Sequence, residues 1–589
     1  MRSWTQTGRA RLAAVAVAVV ALVVVGGGSA MARVQARPAA SGAVRVSSTR
    51  LHVVGTVNLR AVAARLARSN VRTFAQGGAV AAGAGGVRRI VDTAAASFFQ
   101  HQGASLNVSG GQAISSTPQK GAHGFVGLTG DDQATANGGI DLEPPDQGLC
   151  AGKGLVGEFI NNAWTVYSPS GSQQEATVPS YAIFGQPSTD FFSDPRCYYD
   201  ASTQRWILTE FIVGTVNSSG QETSPSVQYI AISNSFDPLG SYTIYSIDTT
   251  DASTPGCPCF GDFDQLGVDN NGIYIATNEF SIAQPVYNGV VIYAASKQLA
   301  ETEPTTGIPP TLFEYRVTKD GFGQPYHISP SSTPPGAQFA PNTEYFVESN
   351  ADAFSDNHLI VYAMTNTSLL AQPAPPPLVK TKITTEGYAF PPDATQKAGR
   401  IPLGKANQDP EGQLQADFDA IQEVTYVNGE LYAEADTATA GGTDGVAWFE
   451  ITPTLTSTGV TATVANQGYV TAGTQNLIYP VIALNKDGQG DMAFTLSGPG
   501  YFPSAANIAF TPTGPTGPIY VAAKGAAPED SFTCYAAFVG PNYGGCRWGD
   551  YSMGVAMGSR IYLATEMIPN SSRDYLTNWG TYVWSAPSP

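Results

Sequence analysis

Five aspartates, Asp146, Asp194, Asp262, Asp419 and Asp550, recur just before or at the start of strongly apolar segments. If a fold gathers them into a ring, such carboxylates attract a hard cation or a cationic ligand, and like-charge crowding raises the proton affinity of some of them. Each also has a simpler use, accepting backbone N–H bonds within its own turn. Asn485, Asp487 and Asp491 offer oxygens at alternating positions around Gly488 and Gly490, which suits a Ca2+ loop. No bidentate glutamate follows at the proper spacing, and a plain hairpin turn accounts for the same residues. Asp131, Asp132, Asp141 and Glu143 read as a solvated acidic loop.

Other chemistries find little support. Of the five histidines, His52, His101, His123, His327 and His358, only the last two lie beyond residue 125, and neither adjoins a nucleophile motif. No glycine-rich phosphate loop or zinc spacing is present, whereas hydrolysis by paired carboxylates stays open because their separation is not written in the sequence. The six cysteines are even in number, which in an exported chain favours disulfides. Cys534 and Cys546 bracket a Gly/Pro/Asn-rich loop and are the best pair, with Cys150 and Cys197 second. Cys257-Pro258-Cys259 reads as structural. Tyr and Phe are abundant, and exposed rings can stack on sugars.

The elements that must position these groups are hairpins. From about residue 140, one unit recurs: an apolar strand, a tight polar turn and a second apolar strand. Seven occur, at Gly148–Asn161, Arg196–Phe211, Leu266–Phe280, Glu344–Thr365, Glu423–Asp436, Tyr479–Ser497 and Tyr551–Glu566. Asn428-Gly429 and Asn271-Gly272 are read as supplying the positive backbone angles of tight turns. Segments such as Val227–Asn234, Val290–Lys297, Val446–Pro453 and Thr581–Ser585 supply further strands. Such hairpins need neighbours to bury their second face, and radial closure removes exposed edges. The expected fold is therefore all-β, a β-propeller over 126–589 with seven blades, within a range of six to eight. A pair of β-sandwich domains is the competing architecture. Stretches 298–340 and 370–412, rich in Pro and Thr, read as insertions.

The N-terminus carries Arg2, Arg9 and Arg11, an apolar run from Ala13 to Val25 and a small-residue site at Ala30-Met31-Ala32, which is the pattern of a secretory signal peptide over 1–32. Residues 33–125 read as a basic Ala/Gly/Arg-rich propeptide or linker with one short helix near Leu59 to Leu66. Residues 1–125 hold 14 basic groups against Asp92, a charge of +13, while the remainder carries −30. That acidic body repels phosphate backbones and excludes nucleic acid as a partner. After signal cleavage no segment is apolar enough to span a membrane, so a secreted monomer is expected.

Asp194-Pro195-Arg196, Phe260-Gly261-Asp262-Phe263, Tyr479-Pro480-Val481-Ile482-Ala483-Leu484 and Arg547-Trp548-Gly549-Asp550-Tyr551 together resemble the secreted bacterial sialidase-like β-propellers, mostly of unassigned function. The resemblance covers residues 140–589 and implies fold more than activity. It also implies where a sialidase would differ. The arginine of an Arg-Ile-Pro motif would open the first blade, but Arg400-Ile401-Pro402 lies past mid-chain, and strict Asp-box turns are absent. The function expected is an extracellular binding or interaction module for a glycan or cell-surface ligand. The alternative is a glycoside hydrolase using paired carboxylates.

Overall fold

Apolar side chains on both faces of short strands set the architecture, because each sheet must be covered on two sides. The computed structural model describes residues 44–70 and 106–589, apart from 352, 373, 417, 541–544 and 571–572. The expected signal peptide lies outside the described residues. The first sheet is the antiparallel run Gly148–Gly152, Leu155–Ile160, Ala163–Tyr167 and Val178–Pro179. The second is Phe192–Asp200, Arg205–Ile212, Val227–Ser233 and Ser241–Asp248. The third is Cys259–Val268, Gly272–Ser281, Tyr287–Ser296 and Thr311–Val317.

The fourth runs Ser329–Ser332, Thr343–Ser349, Ser355–Thr365 and Leu378–Ala389. The fifth runs Val424–Val427, Glu430–Ala438, Asp444–Leu455 and Val460–Val470. The sixth runs Asn476–Leu484, Gly490–Gly498, Tyr501–Thr511 and Gly514–Ala523. The seventh is Met553–Met557, Arg560–Met567 and Gly580–Pro587, completed by His123–Thr129 from far upstream.

The first strand of each sheet touches the first strand of the next, and that of the seventh touches that of the first. The cores lie between neighbouring sheets. Trp164 and Trp206 pack in the core between the first and second, Ile207 and Ile275 between the second and third, and Tyr274 and Tyr362 between the third and fourth. Val361 with Phe449, then Val446 with Phe494, continue the series; Ala493 with Leu563 and Ala564 with Leu149 complete it. Each sheet thus hides its neighbour's apolar face. This is an all-β, radial arrangement.

Several expectations change. Asn428 and Gly429 do take positive φ, 57° and 92°. Neither Asn271 nor Gly272 does, because the Asp269 carboxylate closes that turn by accepting both of their N–H groups. The Pro/Thr-rich stretches are not plain insertions: they hold the last strand of the third sheet, the first strand of the fourth and its last, Leu378–Ala389. Pro330 hides Ser329–Ser332 from a propensity reading, yet short bridges to Val347, Val424 and Val268 suffice there. The hairpin Glu344–Thr365 is consequently the second and third strands of its sheet.

Upstream, Val44–Arg50 pairs with Thr311–Val317 and His52–Asn58 with Ser241–Asp248, adding a fifth strand to the third and second sheets. The expected short helix is Leu59–Asn70, and it buries Leu59, Val62 and Ala63 against the first and second sheets. Disulfides join Cys150 to Cys197, Cys257 to Cys259 and Cys534 to Cys546. The first ties the opening strands of adjacent sheets. Among the described residues no helix is long and apolar enough to cross a membrane.

Candidate functional site

Three of the five aspartates meet where the opening strands of the first, second and seventh sheets begin. Oxygens of Asp146, Asp194 and Asp550 all lie within 4.8 Å of one another. Local conformation aims them: Asp146 and Asp194 have φ of 44° and 56°, in the left-handed region that Asp tolerates better than most residues.

Asp146 Oδ2 accepts from Asn161 Nδ2 at 2.6 Å, and its Oδ1 from the Asp550 N–H at 2.8 Å. Asp194 donates its N–H to Asn161 Oδ1, while its own carboxyl accepts from Ser193 Oγ and from the Phe263 N–H, each at 2.9 Å. Arg547 Nη2 reaches both oxygens of Asp550, at 2.7 and 2.8 Å. Burial, and then repulsion from Asp146, push the Asp194 carboxyl up to about 7, against the opposing pull of Ser193 and Arg196. The cluster thus holds a carboxyl that carries a proton near neutrality beside two in ion-pairing or hydrogen-bonded settings.

Beneath this cluster Arg196 runs into the axis, fully buried. Its Nε donates to the Asp264 carbonyl at 2.9 Å, its Nη1 to Glu423 Oε1 at 2.6 Å, and its guanidinium carbon sits 3.4 Å from the centre of the Tyr551 ring. Asp264, buried next to Asp194, is pushed up to about 8. Phe263, His327, Phe418 and Tyr551 pack together as one aromatic cluster. A repeated device organises these strand starts. Phe263, His327 and Tyr479 all have positive φ, and each donates its N–H to a side chain of an earlier sheet, namely Asp194, Asn278 and Asp436.

The other sequence candidates lie elsewhere. Asp262 is paired opposite Asn278 in the third sheet, outside the three-carboxylate cluster. Asp419 is buried beside Asp356, and its carbonyl accepts Ser349 Oγ at 2.8 Å. The close carboxylate cluster therefore holds three of the five, Asp146, Asp194 and Asp550, rather than all five.

The oxygens of the other trio have separate duties. Asn485 Oδ1 closes the turn by accepting the Asp487 and Gln489 N–H groups, Asp487 pairs with Lys486, and Asp491 is buried against Asn507. Asp491 has already entered the strand Gly490–Gly498 and is buried, whereas Asp487 is exposed. The acidic stretch before the first sheet is not simply solvated either. Glu143 is fully buried and accepts the Thr533 N–H, and burial pushes Asp141 up to about 6. Arg400 is exposed at the surface.

Arg196, Glu423 and Asp264 carried no distinguishing signal, since what matters is that three different sheets bring them to one axis. The left-handed residue opening a strand, as in Asp194-Pro195-Arg196, was the available clue.

No family model matches the chain, and no curated relative matches it. Among solved structures it is similar to the catalytic domain of a GH62 α-L-arabinofuranosidase from Coprinopsis cinerea, with a TM-score of 0.30 and 8% identity over 82% of this chain and 98% of that one. An exo-β-1,3-galactanase from Clostridium thermocellum gives 0.28 and 9% over 79% and 97%. A subtype N10 neuraminidase-like protein from a little yellow-shouldered bat isolate gives 0.29 and 9% over 60% and 90%. At such scores the likeness carries no argument about the site of this chain.

Proposed function

We propose that the chain is an exported seven-bladed β-propeller that hydrolyses a glycosidic bond at the mouth formed by Asp146, Asp194 and Asp550. The observation that carries this reading is the pairing of Asp194 with Asp146, two carboxyls side by side of which one keeps its proton near neutral pH. Such a pair divides the work: Asp194 donates its proton to the departing sugar oxygen, and Asp146, which accepts from Asn161 and the Asp550 N–H, faces the sugar carbon. Oxygen separations inside 4.8 Å sit nearer the roughly 5–5.5 Å of retaining chemistry than the ~6.5–9.5 Å of inverting enzymes. Asp146 is therefore assigned as the nucleophile, and the glycosyl ester it forms is cleaved by a water that Asp194, ionised after its first proton transfer, deprotonates.

The test is a screen of aryl glycosides and polysaccharides with the full chain, followed by Asp194→Asn on any substrate found. A fall in kcat of about 10²-fold or more with glycan binding retained supports the assignment. Glycan binding without any cleavage would leave the extracellular binding module, the second reading, in its place.

A further inference from the structure

At the other end of the axis, away from the carboxylate mouth, the opening strands leave a cavity of about 60 Å3. Its lining comes from the later residues of several of these strands, among them Tyr198, Ser332, Val481, Ala483 and Val555, and from Glu423 and Thr425. Tyr198, Ser332, Thr425 and Val555 are only half-buried, so the cavity reaches solvent. Leu149, Val481, Ala483 and Val555 give it apolar walls.

Glu423 is the charged group of this well. Its Oε1 is engaged by Arg196, whereas its Oε2 takes no hydrogen bond from any described residue, and the side chain keeps 12% exposure. Arg196 also donates to the Asp264 carbonyl and stacks on the Tyr551 ring, so Glu423 is one of several partners of its guanidinium. A carboxylate oxygen facing a narrow apolar-walled space is completed by a donor, and a charged donor makes a bond roughly twice as strong as a neutral one. The −30 charge of residues 126–589 draws cations to the surface and repels anions.

We infer that this well binds a primary ammonium group on a short alkyl stem, with Glu423 Oε2 accepting from the ammonium and the aliphatic walls packing the stem. The site is separate from the proposed hydrolytic mouth and does not depend on it.

Titration calorimetry of the full chain with n-butylammonium, and with n-butanol as the uncharged isostere, tests it. Saturable amine binding with a Kd on the order of 1 mM is expected for so small a ligand, and at least tenfold weaker binding of the alcohol. Glu423→Gln should weaken the amine at least tenfold, and Val555→Phe, which fills the well from a half-buried position, should abolish binding with the melting temperature retained. Absence of amine binding, equal affinity for butanol, or amine binding that survives Val555→Phe would overturn the assignment. If Glu423→Gln does not fold, Val555→Phe alone decides.

Discussion

The Asp194 carboxylate accepts the backbone N–H of Phe263 at 2.9 Å, across the junction of the second and third sheets. One side chain therefore caps the left-handed residue at the bulge of the third sheet's opening strand and belongs to the carboxylate cluster. These two duties separate by substitution. Asp194→Ala leaves the buried Phe263 N–H without its acceptor and should cost about 1–3 kcal/mol of stability by urea denaturation. Asp194→Asn keeps an acceptor oxygen, so it should retain most of that stability while losing the proton-donating function.

Stability should fall as pH rises from acid to neutral. Asp194 is pushed up to about 7, Glu158 to about 7, and Asp264 and Asp491 to about 8, chiefly by burial. Unfolded carboxyls titrate near ~4, so between that pH and the folded values the native state holds protons that the unfolded chain has released. The stabilisation is complete below about pH 4 and is lost as pH climbs through 7 to 8. Melting temperatures measured from pH 5 to 8.5 should decline, and Asp194→Asn should flatten part of that slope. A melting temperature that rises across this window would refute the protonation states assigned here.

Arg196→Met removes one partner of a buried ion pair and leaves Glu423 with an unbalanced charge. A loss of about 3–5 kcal/mol is expected, and Arg196→Lys should not restore it, because an ammonium cannot reproduce the fork to Asp264 and Glu423 or the stack on Tyr551. Arg60→Ala, which breaks half-exposed pairs with Glu175 and Asp237, should cost under about 1 kcal/mol in the same urea assay.

Replacing Cys150 and Cys197 by serine opens a crosslink between residues 47 apart in sequence. Loop-closure entropy alone puts the cost at about 4 kcal/mol, read as a lower urea midpoint in the oxidised protein. The same substitutions should matter little once the wild type is fully reduced.

Removing residues 44–58 would bare the last strands of the second and third sheets. Two open edges side by side are templates for pairing with another chain. The shortened protein should self-associate more strongly than the full chain in analytical ultracentrifugation at equal concentration.

The hairpins were readable because paired apolar runs around turns such as Asn428-Gly429 leave little choice of local structure. All seven units correspond to adjacent strands of one sheet each. The short strand Ser329–Ser332 was not readable, since Pro330 and three serines carry no strand signal and only the flanking sheets impose it. The cluster was half legible. Asp146, Asp194 and Asp550 stood out by their position before strands, but so did Asp262 and Asp419, and which carboxylates meet depends on the direction each opening strand gives its first residue. The ion pair of Arg196 with Glu423 spans 227 positions, a distance that no local pattern encodes.

His123 and Ser585 are paired across the seam of the seventh sheet, and the ring of Pro587 comes within 3.6 Å of the space a side chain on Gly121 would occupy. A short linker could therefore fuse the C-terminal end to residue 120 or so, with new ends cut into a surface loop between two other sheets. Such a circular permutant should keep the same sheets, at a stability lowered by loss of the edge strands and helix of residues 44–70.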